Sequence, residues 1–423
     1  MRILVVSNFY PPHVIGGYEI GCSDVVEALK SRGHDIRVLT SSYGCSKAEH
    51  SGQVFRWLET DRSLHIDGSS RDLPRILRKE SINRRAFERL CRDIEPDIVY
   101  VWNPTHISLS IAAIAQQKGL PVCFFVSDHW LSDWEADSLY SLRRRSPRRT
   151  GMRLIWKPLL AMLQASGVLP NEGPDFKNVQ FASHYLERSA QQTSALVGNA
   201  EVIHWGIDVE RFPLNHTTRT ARRLLYAGQL TSLKGVHTAV QALRIVVDDP
   251  AARSTMLTIA GGPDYDDRIH RLVSSLRLEN NVRFTGFISR DRLQALYKDH
   301  DIFLFPSVWD EPFSIALLEA MSSGLAVVGT NTGGTTEILR DEVNALIFPK
   351  EDPEACATQI KRLTGDAGLF AKIRLSGRQT VESQFRLEDM VDRVEYALIR
   401  LVRQSDANVL GAAERFAHES RNL

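Results

Sequence analysis

The sequence predicts an α/β protein built from two doubly wound, Rossmann-like units. Short β-type apolar runs alternate with stretches of helical periodicity along the whole chain, which is the pattern of a parallel sheet with helices on both faces. The pattern stops at a polar stretch, residues 215–220 (NHTTRT), and then starts again. Length agrees: 423 residues exceed what one core holds, so two or three domains are expected. We place an N-terminal domain over 1–205 and a second over 206–385, with a C-terminal helix, 386–423, packing back on the first. Two such halves imply a cleft, with ligands beyond the carboxyl ends of the strands.

Residues 2–7 (RILVVS) read as a buried strand, followed by a loop ending in Gly16-Gly17. A helix over 18–32 stops at Gly33, and 35–40 (DIRVLT) reads as the second strand. The alternation continues with strands at 97–101 (DIVYV), 121–126 (PVCFFV), 180–183 and 201–204, and a helix near 107–117. In the second half, strands are expected at 222–227, 256–260, 282–284, 301–305 and 326–328. Helices are expected near 236–247, 268–275, 291–298 and 312–323, and 387–402 is amphipathic.

Bulk composition removes several function classes. Hydrophobic residues make up 43% and charged residues 24%, the balance of a soluble globular chain. A net charge of +1 gives no global pull toward nucleic acid or membrane. The five cysteines are scattered and never form CxxC, against a disulfide framework or zinc knuckle and in keeping with a reducing cytoplasm. The N-terminal apolar run is too short for the core of a secretion signal, so a cytoplasmic location is expected. One local anomaly is the basic run 141–157, which includes Arg143, Arg144, Arg145, Arg148, Arg149 and Trp156 and no acid. Basic residues beside a Trp-bearing apolar face suit peripheral contact with an anionic membrane, while a solvated loop leading into a core helix explains them equally.

The most informative stretch is 311–324, EPFSIALLEAMSSG. It sets two carboxylates, Glu311 and Glu319, eight positions apart around a helix start. Pro312 suits the first helical position. The N–H groups of Phe313, Ser314 and Ile315 would then face an anion. A carboxylate at each side of an anion site suits a nucleotide sugar, although Glu-Pro is also an ordinary way to open a helix. In YAGQLTSLKGV, Gly228 and Lys234 lie between a strand and a helix, where a pyrophosphate can be held. Gly333 and Gly334 open a second backbone anion site or cap a helix. Asp264-Tyr265-Asp266 is formally a DxD, but turn and cap roles explain it better, and no metal is expected. No GxGxxG follows the first strand, since residue 18 is Tyr, so a nicotinamide site is not expected. Ser127, Asp128 and His129 end the strand PVCFFV, where an Asp-His pair orients an acceptor hydroxyl or takes its proton.

Five motifs in register then resemble the retaining family 4 glycosyltransferases, over nearly the whole chain. They are GGYE at 16–19, IHWGIDVERF at 203–212, GQLTSLKG at 228–235, the E-x7-E of Glu311 and Glu319, and GG-x-x-E at Gly333, Gly334 and Glu337. The resemblance implies the GT-B fold, two Rossmann-like domains facing a central cleft. It implies transfer of a sugar, with retained configuration, from a nucleoside diphosphate sugar to a hydroxyl of a glycan, lipid-linked or small-molecule acceptor, as in polysaccharide biosynthesis. Glu319 would bind the ribose and Glu311 the donor sugar. Lys234 and the N–H groups of Phe313, Ser314 and Ile315 would bind the diphosphate, and Gly17 would approach it from the first domain. Residues 286–289 would run beside the base, and no cofactor or metal is needed. Glu311, Asp128 and His129 are the catalytic candidates; Gly16, Ser127 and His129 are those on the acceptor side. Two departures stand out: Gln229 replaces the family's usual arginine, and the family's strand-end His before Asp falls on Ser127, with His129 one place late. A sugar-nucleotide epimerase on the same fold would instead turn over donor without acceptor, and a silent nucleotide-sugar binding protein would bind without turnover.

Overall fold

The computed structural model describes residues 1–45, 48–60, 73–137, 139–140, 150–165, 173–193, 195, 197–214, 221–262, 264 and 267–419, with backbone alone at 150–157 and 408–419. The chain divides into two compact units: Met1–Ile203 with Val391–Leu423, and His204–Met390.

The first unit is an eight-stranded sheet. Its strands are β1 (Arg2–Ser7), β2 (Asp35–Ser41), β3 (Glu49–Ser51), β4 (Val54–Leu58), β5 (Ile98–Asn103), β6 (Val122–Val126), β7 (Asn178–Phe181) and β8 (Asn199–Val202). They lie in the order β3-β4-β2-β1-β5-β6-β7-β8, parallel throughout except for the short antiparallel edge β3. Burial on both faces explains why the central strands read as continuous apolar runs: every residue of β5 and β6 is buried. The helices are α1 (Tyr18–Ser31), α2 (Leu73–Ile94), α3 (Ser110–Gln117), α4 (Thr150–Ala165) and α5 (His184–Gln191). β7 and β8 each begin and end two residues earlier than the sequence suggests, and α3 begins at Ser110, not 107.

α2 hides an unusual polar face. Lys79, Glu80 and Asn83 are all buried. Lys79 Nζ donates to the carbonyl of His106 at 3.2 Å, and Asn83 Nδ2 to that of Ile107 at 2.8 Å. Ser110 Oγ donates to Glu80 Oε2 at 2.6 Å. The segment they brace, just beyond β5, holds His106 and Ser108 at φ of 69° and 125°, a conformation that needs such over-determination in residues other than glycine. On the other side, Leu159, Leu160 and Leu163 of α4 pack with Ile76 and Leu139. The Arg143–Arg149 run lies outside the described residues, as do the side chain of Trp156 and residues 215–220. No helix among the described residues is long and apolar enough to cross a membrane.

The second unit carries six parallel strands: β9 (Arg223–Ala227), β10 (Met256–Ala260), β11 (Val282–Gly286), β12 (Ile302–Phe305), β13 (Ala326–Gly329) and β14 (Leu346–Ile347), in the order β11-β10-β9-β12-β13-β14. Its helices are α6 (Val236–Val247), α7 (Arg268–Ser275), α8 (Arg290–Asp299), α9 (Ile315–Ser322), α10 (Pro353–Gly365) and α11 (Ala367–Gln384). One core runs from α6 across the sheet to α10 and α11. The last helix, α12 (Leu387–Glu419), is longer than its apolar periodicity suggests and belongs to the first unit from Val391 onward. There Arg32 and His34 bond Glu395, each at 2.6 Å, and Val391, Val394 and Leu398 are fully buried.

Candidate active site

In the second unit the important carboxylates lie where β12 gives way to α9. The helix does not begin at Pro312 as the sequence suggests; it begins at Ile315, with Ser314 as its cap and Ser314 Oγ accepting from the Leu317 N–H. The reason lies upstream. Gly334 N donates to the Glu311 carbonyl at 2.6 Å, and Gly333 sits at φ 53° directly against it, which holds residues 311–313 as a loop. Serine then caps better than the preceding residues can. The N–H groups of Phe313, Ser314 and Ile315, and that of Ala316, take no hydrogen bond among the described residues. Gly333 and Gly334 open a short 3₁₀ helix, Gly333–Glu337, behind the capping Thr332, at the helix start the sequence suggested, and also act as a clasp on Glu311.

Glu311 is 4% exposed. Lys234 Nζ donates to both of its oxygens at 2.8 Å, and Ser307 Oγ to Oε1 at 2.6 Å. Lys234 also sits 4.9 Å over the Trp309 ring. It ends a short 3₁₀ turn, and the next residue, Gly235, has φ 67°; a Cβ there would meet the Pro306 carbonyl. The loop before it is pinned by Tyr226, whose hydroxyl donates to the Gln229 carbonyl at 2.7 Å. Burial, and then the Glu311 charge, drive that hydroxyl's pKa up. Gln229 itself is exposed.

Glu319 falls in the second turn of α9 and is 4% exposed. Arg290 Nε and Nη2 each lie 3.1 Å from its Oε1, and the Tyr297 hydroxyl donates to Oε2 at 3.3 Å. Among the described residues each carboxylate therefore holds a cation, an arrangement that keeps buried charge tolerable. Sequence reasoning missed Arg290, which stands 29 positions from Glu319 and outside every motif. Glu337 of the GG-x-x-E motif accepts from His204 Nε2 at 2.7 Å, and the His204 ring stacks on Phe313 at 5.6 Å. That joins the start of the IHWGID motif to the α9 entry.

Of the DxD, only Asp264 lies among the described residues. It accepts from the N–H groups of Ile269 and His270 and bonds His270 Nδ1 at 2.8 Å. Burial opposes its ionisation, but these bonds outweigh it and hold its pKa below the usual range. It is a helix-start cap, as the sequence suggested.

In the first unit, the carboxyl ends of β1, β5 and β6 bring together Asn8, Asn103 and Ser127–His129. Asp128 accepts one bond at each oxygen: Oδ1 from the Trp130 N–H at 2.9 Å and Oδ2 from Asn103 Nδ2 at 2.7 Å. Burial pushes its pKa up, against these bonds. Ser127 is buried, and its Oγ has no hydrogen-bond partner among the described residues. His129 is half-buried, its ring edge-on to Tyr185 at 5.7 Å. Gly17 caps α1, and the N–H groups of Ile15 and Gly16 each donate to Glu19 at 3.0 Å. Glu19, fully buried and with its pKa raised by that burial, is what shapes the glycine turn. Tyr18 then reaches Asn8 Oδ1 at 2.6 Å. Asn103 and Glu19 carry no motif of their own beyond the last letter of GGYE.

Two parallel α/β units, one bearing buried carboxylates at a helix entry, match the GT-B architecture of solved glycosyltransferases. Residues 15–211 match the description Glycosyltransferase Family 4, and residues 210–380 match Glycosyl transferases group 1. The chain belongs to this family of retaining glycosyltransferases, which use nucleotide-sugar donors. It is similar to an uncharacterized glycosyltransferase of Methanocaldococcus jannaschii, 24% identical over 92% of this chain and 96% of that one. Among solved structures it is similar in fold to sucrose-phosphate synthase from Thermosynechococcus elongatus, with TM-score 0.70, 19% identity, and 96% and 99% of the two chains covered. Anabaena HepE in complex with UDP-glucose gives TM-score 0.65 and 18% identity over 95% and 100%.

Proposed function

We propose that this enzyme moves a sugar from a nucleoside diphosphate sugar to a hydroxyl of a glycan or lipid-linked acceptor. The observation that carries the reading is the pair of buried carboxylates around the α9 entry, each with its own cation. Glu319 takes the ribose hydroxyls and Glu311 the donor sugar. Lys234 and the N–H groups of Phe313, Ser314 and Ile315 take the diphosphate and stabilise it as leaving group, an electrostatic role. On the acceptor side, the uncommitted Ser127 hydroxyl and half-buried His129 meet the incoming hydroxyl. Asp128, which accepts one bond at each oxygen, orients this strand end. The leaving phosphate takes the acceptor proton.

UDP-glucose, the ligand of the HepE complex, is the first donor to test. Thermal shifts are measured against UDP-, GDP-, ADP- and dTDP-sugars, with magnesium and with EDTA, because a ligand of the folded state raises the melting temperature. A shift with one nucleotide class, insensitive to EDTA and lost in Glu319→Ala, supports the assignment. An unchanged shift in Glu319→Ala counts against it. The basic run 141–157 fits a membrane-proximal acceptor; co-sedimentation with anionic liposomes that persists after its arginines become serine would remove that part.

A further inference from the structure

We propose that Arg290 is a specificity-determining positioning residue, which sets the Glu319 carboxylate to read a ribose and so separates ribonucleotide from 2′-deoxyribonucleotide donors. The inference rests on the ribose reading of Glu319.

Arg290 is the first residue of α8, where Ser289 caps the helix by accepting from the Arg292 N–H. A cation in a first turn opposes the helix dipole, so its place is not explained by the helix it opens. It is explained by Glu319. Two of the guanidinium's three nitrogens lie 3.1 Å from one oxygen, Oε1: Nε, which hydrogen-bonds it, and Nη2, which adds its charge. The guanidinium also lies 5.7 Å over the ring of Phe212, which is buried edge-on to Tyr297 at 6.1 Å. Tyr297, fully buried, brings its hydroxyl to the other oxygen at 3.3 Å.

The two oxygens are thus unlike. Oε1 carries the cation, and Oε2 carries the longer bond of a neutral phenol. A carboxylate so buried tolerates its charge only beside a cation, and an ionised carboxylate accepts and does not donate. Two hydroxyl donors on adjacent ribose carbons match that chemistry. A deoxyribose brings one, and the carboxylate loses a charge-assisted bond that water replaces poorly at a buried oxygen. Discrimination of this kind depends on the carboxylate staying put. Without Arg290 the Glu319 carboxylate is held at Oε2 by the Tyr297 hydroxyl and loses its anchor at Oε1, and the penalty for the missing hydroxyl shrinks.

The test uses the full-length protein and isothermal titration with UDP, GDP and ADP, each paired with its 2′-deoxy counterpart. For the nucleotide that binds, the ribose form is expected to bind roughly 10- to 100-fold more tightly than the deoxy form, the ratio that one charge-assisted hydrogen bond sets. Arg290→Gln should bring the ratio below about 3-fold, mainly by weakening the ribose form, and Arg290→Lys should restore part of it. Equal weakening of both forms, or an unchanged ratio in a folded Arg290→Gln protein, overturns the proposal. Should that variant fail to fold, Arg290→Lys decides: a ratio equal to wild type overturns it, and an intermediate one supports it. Absence of any ribose preference in the wild-type protein, or full UDP affinity in Glu319→Ala, overturns the ribose reading of Glu319 and the proposal with it.

Discussion

Lys234 and Glu311 form a pair in which most of the desolvation falls on one side, since the Glu311 side chain is 5% exposed and that of Lys234 25%. Lys234→Met leaves Glu311 with Ser307 as its remaining named donor. We expect a loss of about 1–3 kcal/mol of stability, read by urea denaturation, and a loss of diphosphate affinity larger than the loss of uridine affinity. A smaller loss for UDP than for uridine would place Lys234 away from the phosphates. Glu80 makes a different prediction. Burial, against the opposing Lys79 charge, pushes its pKa up to about 7 from an ordinary 4.5. The folded chain therefore binds this proton more readily than the unfolded one. Its contribution is fully favourable below pH 4.5 and is lost as pH rises toward 7. Unfolding free energy should fall across that window by on the order of 2–3 kcal/mol, and Glu80→Gln should flatten the fall. A variant whose stability tracks wild type from acid to neutral pH would show that Glu80 does not titrate there.

At the level of elements, what was legible follows from where the apolar residues sit. β1, β2, β5 and β6 announce themselves because a strand buried on both faces has to be apolar along its length. α2 went unread although Ile76, Phe87 and Leu90 keep helical spacing, because Lys79, Glu80 and Asn83 fill buried positions where apolar residues are looked for. The β3–β4 hairpin, short and with an exposed polar first strand, left equally little signal. The carboxylates of the site were legible as a spacing, but the start of α9 was not, since the clasp that delays it comes from Gly333 and Gly334 on a later segment. That clasp is testable against a control. A Cβ at Gly333 would lie 2.4 Å from the Glu311 carbonyl, whereas one at Gly33, φ 88°, meets nothing within 4 Å. Gly33→Ala should cost only the left-handed backbone strain, roughly 1–2 kcal/mol, with donor affinity intact. Gly333→Ala should cost more and also weaken UDP binding. Equal costs with unchanged binding in both would show that the clasp does not govern Glu311.

For the whole molecule, the last helix matters most. Leu398 is fully buried in the first unit, and Leu398→Ala should remove ~2–5 kcal/mol from that unit. UDP affinity should stay near the wild-type value below the new melting transition, since every proposed donor residue except Gly17 belongs to His204–Met390. A fall in UDP affinity in the folded variant would tie the two units' stabilities together more closely than we expect. The chain order of the units also bears on how the protein is made. The second unit is an uninterrupted stretch inserted into the first. During synthesis all its residues leave the ribosome before the first unit receives the helix that gives Arg32 and His34 their partner. The half to which we assign the nucleotide can mature early, while the half that was translated first has to wait, incomplete, for a later segment of its own fold.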